Sequence, residues 1–196
     1  MDASQEPNRR LHLPRITPRS ADRTDSETAA TLAAVKAKIG MVPNLYATFA
    51  EAPAVLNAYL AANAALSNGR LSAPQREIVA LASAQINQCK YCLSAHTMLG
   101  QGAGLSAESI AAARIGRAEN TTDNAVAALT TRIINARGMI SDNDLADARA
   151  AGLDDGLILE VIAHVAMNAL TNFTNNVAET DIDFPVVSLE QQHHAA

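Results

Sequence analysis

The sequence predicts an all-α protein. Hydrophobic residues fill 48% of its 196 positions and aromatics only 3%. Alanine recurs in runs such as Ala61-Ala62 and Ala111-Ala112-Ala113; it loses no side-chain entropy in a helix, so closely packed helices are favoured. Helix start and stop signals follow one another along the chain, and no segment alternates with period two for long enough to make a sheet. Asp183 to Ser188 could be extended, but one short piece makes no sheet. The length suits a single domain with a full core.

Positions 1–23 mix proline, arginine and polar residues without period. They read as an extended or disordered arm ahead of a helical domain over 24–189 and a tail over 190–196. Ser26 opens the first helix, and Gly40 offers a left-handed stop. Pro43 and Asn44 restart the chain into a short amphipathic piece, Leu45 to Phe49. Pro53 suits a first helical turn, and that helix runs to about Leu66 before Ser67-Asn68-Gly69. Ser72 with Gln75 forms a capping-box pattern for a helix over 73–87. Asn87 is expected to cap the next helix, beginning near Gln88 and ending among Gly100, Gly102 and Gly104. Ser106, Thr122 and Ser141 look like later caps, with Gly116, Gly138 and Gly152 as stops. A last helix spans about 155–179 with Leu157, Val161, Val165, Ala169 and Phe173 expected on one face.

A formal net charge of −5 and a pI near 5.5 leave no basic footprint for nucleic acid. Charged residues make up 18%, below the ~25% typical of soluble domains, which hints at surface hidden in an oligomer. The first ten residues hold no apolar run of the kind a secretory signal needs, and no apolar stretch of membrane-spanning length free of breaks and charges stands out. The cytosol is the expected compartment. There, two cysteines three positions apart are better suited to catalysis or metal binding than to a structural bridge.

Chemistry gathers in Cys89-Lys90-Tyr91-Cys92-Leu93-Ser94-Ala95-His96. On a helix the spacing places both thiols and the imidazole in one stripe. Cys89 is expected in the first turn, where free N–H groups and the helix dipole favour an anion. The thiolate is the nucleophile, so this setting suits a reactive cysteine. Glu77 is a candidate proton acceptor. It opens a helix that carries no charge from Ile78 to Ile86, and a carboxylate in such company is costly unless paired or held protonated. Zinc would find three ligands in Cys89, Cys92 and His96 but no fourth nearby. A thioredoxin-like motif would need a βαβ setting. An inert buried pair is the plain alternative, weakened by the spacing of His96 and Glu77. Tyr91 reads as a packing residue with a polar tip that could gate the thiols, and His164 as a core or interface histidine that could reach the site. His12, His193 and His194 fall in the tails. Asp142, Asp144, Asp154 and Asp155 look like cap and first-turn charges.

Glu77, Cys89, Cys92 and His96 match the E…CxxCxxxH signature of the AhpD-like alkylhydroperoxidase family, within the wider carboxymuconolactone decarboxylase superfamily. Met41-Val42-Pro43-Asn44, the Leu71-Ser72 start, and the stretches Asn172-Phe173 and Asp183-Phe184-Pro185 resemble its peroxidase-related branch. The resemblance covers roughly 39–185. It implies an all-helical fold and a homo-oligomer (trimer or hexamer); no cofactor or metal is expected. It also implies a thiol peroxidase cycle. Cys92 attacks a hydrogen or alkyl hydroperoxide and becomes a sulfenic acid. Cys89 condenses with it to a disulfide, His96 and Glu77 relay the proton, and a dithiol or redox protein restores the thiols. Characterised members carry a histidine between the cysteines where this chain has Tyr91, a departure that bears on the relay and the reductant. The alternative is a superfamily member without peroxidase activity, either a lactone decarboxylase or lyase or a redox-sensing oligomer. Decarboxylase members generally lack the CxxC pair.

Overall fold

The computed structural model describes residues 13–190. The outer part of the expected arm (1–12), the end of the tail (191–196), and with them His12, His193 and His194, lie outside the described residues. Within that span there are nine α-helices, one 3-10 turn and no strand, the all-α fold expected. The helices are α1 (Ser26–Ile39), α2 (Asn44–Phe49), α3 (Pro53–Ser67), α4 (Ala73–Ile86), α5 (Lys90–Gly102), α6 (Ala107–Arg114), α7 (Thr121–Ala136), α8 (Asp142–Ala150) and α9 (Asp155–Ala178).

Helix α4 is the centre. Every residue from Ile78 to Ala84 is buried, and the helix packs against α5, α6, α7 and α9. A helix that is apolar nearly all round can only be stable there. Its start is fixed by the expected capping box: Gln75 N–H donates to Ser72 Oγ, and Ser72 N–H to the Gln75 side chain. Glu160 of α9 ties that start down from outside. Its carboxylate accepts from the backbone N–H groups of Arg70 and Leu71 at 2.8 and 3.0 Å, and Arg70 makes a bidentate pair with Asp154. A Cβ at Gly69 would fall 2.6 Å from Glu160 Oε2, so a larger residue there would displace this carboxylate.

Helix α9 carries two apolar faces. Ile158, Val161 and Val165 are buried and continue inward as His164, Asn168, Asn172 and Asn175. Val161 and Val165 lie on the expected face, but Phe173 is 57% exposed. A strict four-residue step drifts by roughly 40° each time in a helix of 3.6 residues per turn, so Leu157 and Phe173 end on different sides. The outer face shows Leu159, Ile162, Leu170, Phe173 and Val177. By length and composition alone α9 is long and apolar enough to cross a membrane, with mean hydropathy 1.3 over an 18-residue window, a stretch the sequence reading had passed over. Its inner face, apolar near the start and rich in amides further on, packs on α4 and α5.

Two further expectations shift. Asn120, not Thr122, caps α7, its side chain accepting from Asp123 N–H. The inner part of the arm lies against the body: Arg15 N–H donates to Ala178 C=O at 2.7 Å, Arg19 N–H to Ala47 C=O at 2.9 Å, and Arg19 pairs with Glu51 at 3.0 Å.

Glu160→Ala leaves two backbone donors without their carboxylate. A loss of about 1–3 kcal/mol in urea unfolding is expected, with unchanged helical circular dichroism before the transition.

Candidate active site

The joint between α4 and α5 is three residues long. Asn87 closes α4 instead of capping α5, and Gln88 turns the chain with φ +54°. Cys89 is then the N-cap of α5, two positions later in the chain than the Asn87 cap expected. Its Sγ accepts from Cys92 N–H at 3.3 Å in place of the usual side-chain oxygen. Cys92 therefore sits in the first turn, near the positive end of the helix dipole. The tight joint sets α4 and α5 side by side, which brings Glu77 opposite His96.

That pairing is direct. Glu77 Oε2 lies 2.8 Å from His96 Nδ1, with the two side chains 18% and 24% exposed. The carboxylate is satisfied by pairing, the first of the two options its apolar surroundings allowed. Burial opposes a charged imidazole, but the Glu77 carboxylate beside it dominates and raises the His96 pKa above its ordinary value.

The two cysteines are free and buried, with their sulfurs 2.6 Å apart and Cys89 donating to Cys92. Asn175 Nδ2 of α9 donates to Cys92 Sγ at 3.2 Å. Burial pushes the Cys92 thiol up, but the Cys89 thiol, the charge on His96 and the amides of Asn175 and Asn172 outweigh it and bring it down to about 7. The same sulfur–sulfur contact, with burial, holds the Cys89 thiol far above its ordinary range. The environment thus separates two equivalent residues into a nucleophile and a protonated partner.

An apolar cavity of about 240 Å³ reaches Cys92. Its wall includes Tyr46, Tyr59, Tyr91, Ala95, His96 and Phe184. Tyr91 is buried, its ring edge-on to Phe184 at 5.5 Å and its hydroxyl accepting from Leu45 N–H at 3.2 Å. It packs as expected of it and also forms cavity wall. His164 lies on the other side of the Glu77–His96 pair, where a cavity of about 90 Å³ is shared by Arg76, Glu77, His96, His164 and Asn168. Burial and nearby Arg76 lower its pKa, and Nε2 has no hydrogen-bond partner. It borders the Glu77–His96 pair. Among the described residues no group of three or more His, Cys, Asp or Glu is arranged to hold a metal ion.

The sequence reading missed the asparagines. Asn168, Asn172 and Asn175 are buried on the inner face of α9. Asn87 Nδ2 donates to Asn172 Oδ1 at 2.9 Å, and Asn175 meets the sulfur. The signal was their spacing of four and three within an apolar helix, since buried amides need partners.

Glu77, Cys89, Cys92 and His96, the residues that carry the resemblance, thus lie together where α4 and α5 meet. The family model for the carboxymuconolactone decarboxylase family matches residues 50–132, from α3 through α7. Residues 50–132 are a carboxymuconolactone decarboxylase family domain. Its fold is AhpD-like. The AhpD core of a peroxidase-related protein from Ralstonia eutropha JMP134 superposes with a TM-score of 0.78 at 22% identity, over 88% of this chain and 93% of that one. A peroxidase-related protein from Silicibacter sp. TM1040 gives 0.74 at 22% identity, over 92% and 94%. The debrominase Bmp8, solved with 2,3,4-tribromopyrrole, gives 0.71 at 14% identity, over 86% and 91%. No curated protein matches the sequence. Within this carboxymuconolactone decarboxylase domain fall Glu77, Cys89, Cys92 and His96; the asparagines of α9 lie beyond the matched segment.

Site-resolved alkylation of the reduced protein is expected to show Cys92 reacting with a midpoint near pH 7 and Cys89 unreactive over the same range. Asn175→Ala removes an N–H that favours the thiolate, so the Cys92 midpoint should move upward. An unmoved midpoint would remove Asn175 from the site.

Proposed function

We propose that the protein is a thiol peroxidase reducing organic hydroperoxides through a Cys89–Cys92 disulfide cycle. The observation that carries this reading is the sulfur of Cys92. It is brought down to about 7, faces a cavity, and has a protonated thiol within 2.6 Å. Glu77 accepts a hydrogen bond from the Nδ1–H of His96, which leaves Nε2 as the basic nitrogen, much as a carboxylate orients a catalytic imidazole elsewhere. Nε2 receives the Cys92 proton, directly or through one water. The thiolate attacks the outer oxygen of the peroxide, the O–O bond breaks, and the leaving alkoxide takes the proton back from the imidazole as an alcohol. Cys89 then attacks the sulfenic sulfur, forming the disulfide and releasing water. An external dithiol, small or on a redox protein, returns both thiols. No step needs a metal or cofactor, and the cytosol, whose thiols are kept reduced, is the compartment we assign.

The apolar, tyrosine-lined cavity favours a substrate with a hydrocarbon part over hydrogen peroxide. The same cavity supports a second reading. A flat halogenated aromatic could occupy it, and the thiol pair could supply two electrons and a proton to replace halogen by hydrogen, leaving halide and the disulfide. Offering 2,3,4-tribromopyrrole and cumene hydroperoxide to the reduced protein in parallel separates the two. The decarboxylase reading gains nothing from the thiol pair, and the sensor reading, which needs the pair, gains nothing from the cavity.

We also assign the outer face of α9 to contact with further copies of this chain. Leu159, Ile162, Leu170, Phe173 and Val177 are exposed, and with exposed Ala166 between Ile162 and Leu170 they form a stripe stepping by three or four residues, near coiled-coil spacing. A like stripe on another copy would cover it, and a closed assembly such as a trimer or hexamer would bury every copy's face.

With cumene hydroperoxide and dithiothreitol, Cys92→Ser is expected to abolish peroxide consumption. Glu77→Gln should slow it by roughly 10²-fold, at the low end for loss of an acid–base group. Full activity in Cys92→Ser would end the reading. Phe173→Asp should shift the mass measured by light scattering toward the monomer.

A further inference from the structure

The thiol pair has cavities on two sides, and Tyr91 lines both. The apolar one reaches Cys92. The other, about 350 Å³, lies at the N-terminus of α5 between Gln88, Lys90, Tyr91, Asn175, Asn176 and Thr180. Two of its lining residues each carry a buried oxygen with no hydrogen-bond partner, Asn175 Oδ1 and Thr180 Oγ1. The residues are only 3% and 7% exposed. Buried polar atoms are almost always bonded, so two unpaired ones just behind a single wall are acceptors that a polar ligand parting that wall would satisfy. Asn175 spans the gap to the chemistry, because its other side-chain end donates to Cys92 Sγ.

We propose that this polar cavity admits a small polar thiol that reduces the oxidised pair by attacking Cys89, so that oxidant and reductant reach the disulfide from different sides. The inference rests on the disulfide cycle proposed above. Lys90 is exposed at the rim and favours the thiolate of an incoming thiol; Glu179, the other charged residue lining the cavity, is paired with Arg15. A bond forms between that sulfur and Cys89 Sγ, the Cys89–Cys92 bond breaks, and its electron pair leaves on Cys92. That direction is the favoured one, since the sulfur that ionises more readily is the better leaving group. A second thiol then attacks the mixed disulfide and frees Cys89. Two external thiols lose two electrons and become a disulfide, and their two protons end on the cysteines. Asn175 separates cavity from sulfur. Its Nδ2 is held by a Cys92 thiolate, but a disulfide sulfur carries no charge and is a poor acceptor. Oxidation therefore loosens the partition at the moment a reductant has to pass. The cavity volume lies within the ~300–1,000 Å³ usual for small-molecule sites, which is why a small thiol is assigned here ahead of a protein dithiol.

The test uses the full chain with its disulfide formed by diamide, so that reduction can be followed whether or not peroxide is the natural oxidant. Dithiothreitol is the probe, and its rate is compared with oxidation of the reduced protein by cumene hydroperoxide. Lys90→Trp narrows the rim from an exposed position. The ratio of reductive to oxidative rate is expected to fall by roughly tenfold, a loss of about 1.4 kcal/mol. Thr180→Val keeps the shape, removes one unpaired oxygen, and should raise the dithiothreitol concentration giving half-maximal rate severalfold. An unchanged ratio in Lys90→Trp would overturn the proposal. So would slowing of both half-reactions together, or a disulfide that reduced thioredoxin opens and dithiothreitol does not. If peroxide fails to oxidise the wild type but the diamide-formed disulfide is still reduced in a Lys90-dependent way, the peroxidase reading falls and the cavity assignment stands.

Discussion

A carboxylate on an otherwise uncharged central helix needs a partner, and much of the architecture follows from how one is provided. Glu77 cannot stay among buried apolar neighbours alone. Its partner, His96, comes from the next helix, and the joint that brings it round is only Asn87, Gln88 and Cys89. Shortening the joint this far makes Cys89 itself the cap of α5 and places Cys92 within the first turn. One electrostatic demand therefore fixes the angle between two helices, the order of the two thiols along the dipole, and which ring nitrogen of His96 is left free.

The pair of cysteines shows how far environment divides chemically equal groups. Both are buried. Cys89 has a sulfur as its main neighbour and gives its hydrogen to it. Cys92 collects donors from Cys89 and Asn175 together with the charge of His96. In low-dielectric surroundings each donor counts for more than it would in water, so the difference in acidity between the two thiols is built by three elements: α4 through Glu77, α5 through its own start and His96, and α9 through its amides.

Most helices could be read from the chain because their signals are local. Ser72 and Gln75 sit within one turn of each other, and Gly40 ends α1 with φ +86° wherever the rest of the chain goes. The Glu77, Cys89, Cys92 and His96 set was legible for the same reason, since all four fall within two consecutive helices. Asn172 and Asn175 were not, because the sulfur they serve lies some eighty positions earlier, and a helix read alone does not say which buried amide meets what. Phe173 was misplaced by arithmetic of a different kind. A spacing of four looks regular in sequence but rotates on a helix of 3.6 residues per turn.

Asn172 and Phe173 are neighbours in α9, one buried against the thiol side and the other open to solvent. A helix turns as a rigid rod, so whatever leans on the outer ring must also lean on the amides behind it. Crowding by an adjoining subunit would then act as a tuning screw for sulfur acidity, and dilution of the protein would loosen it.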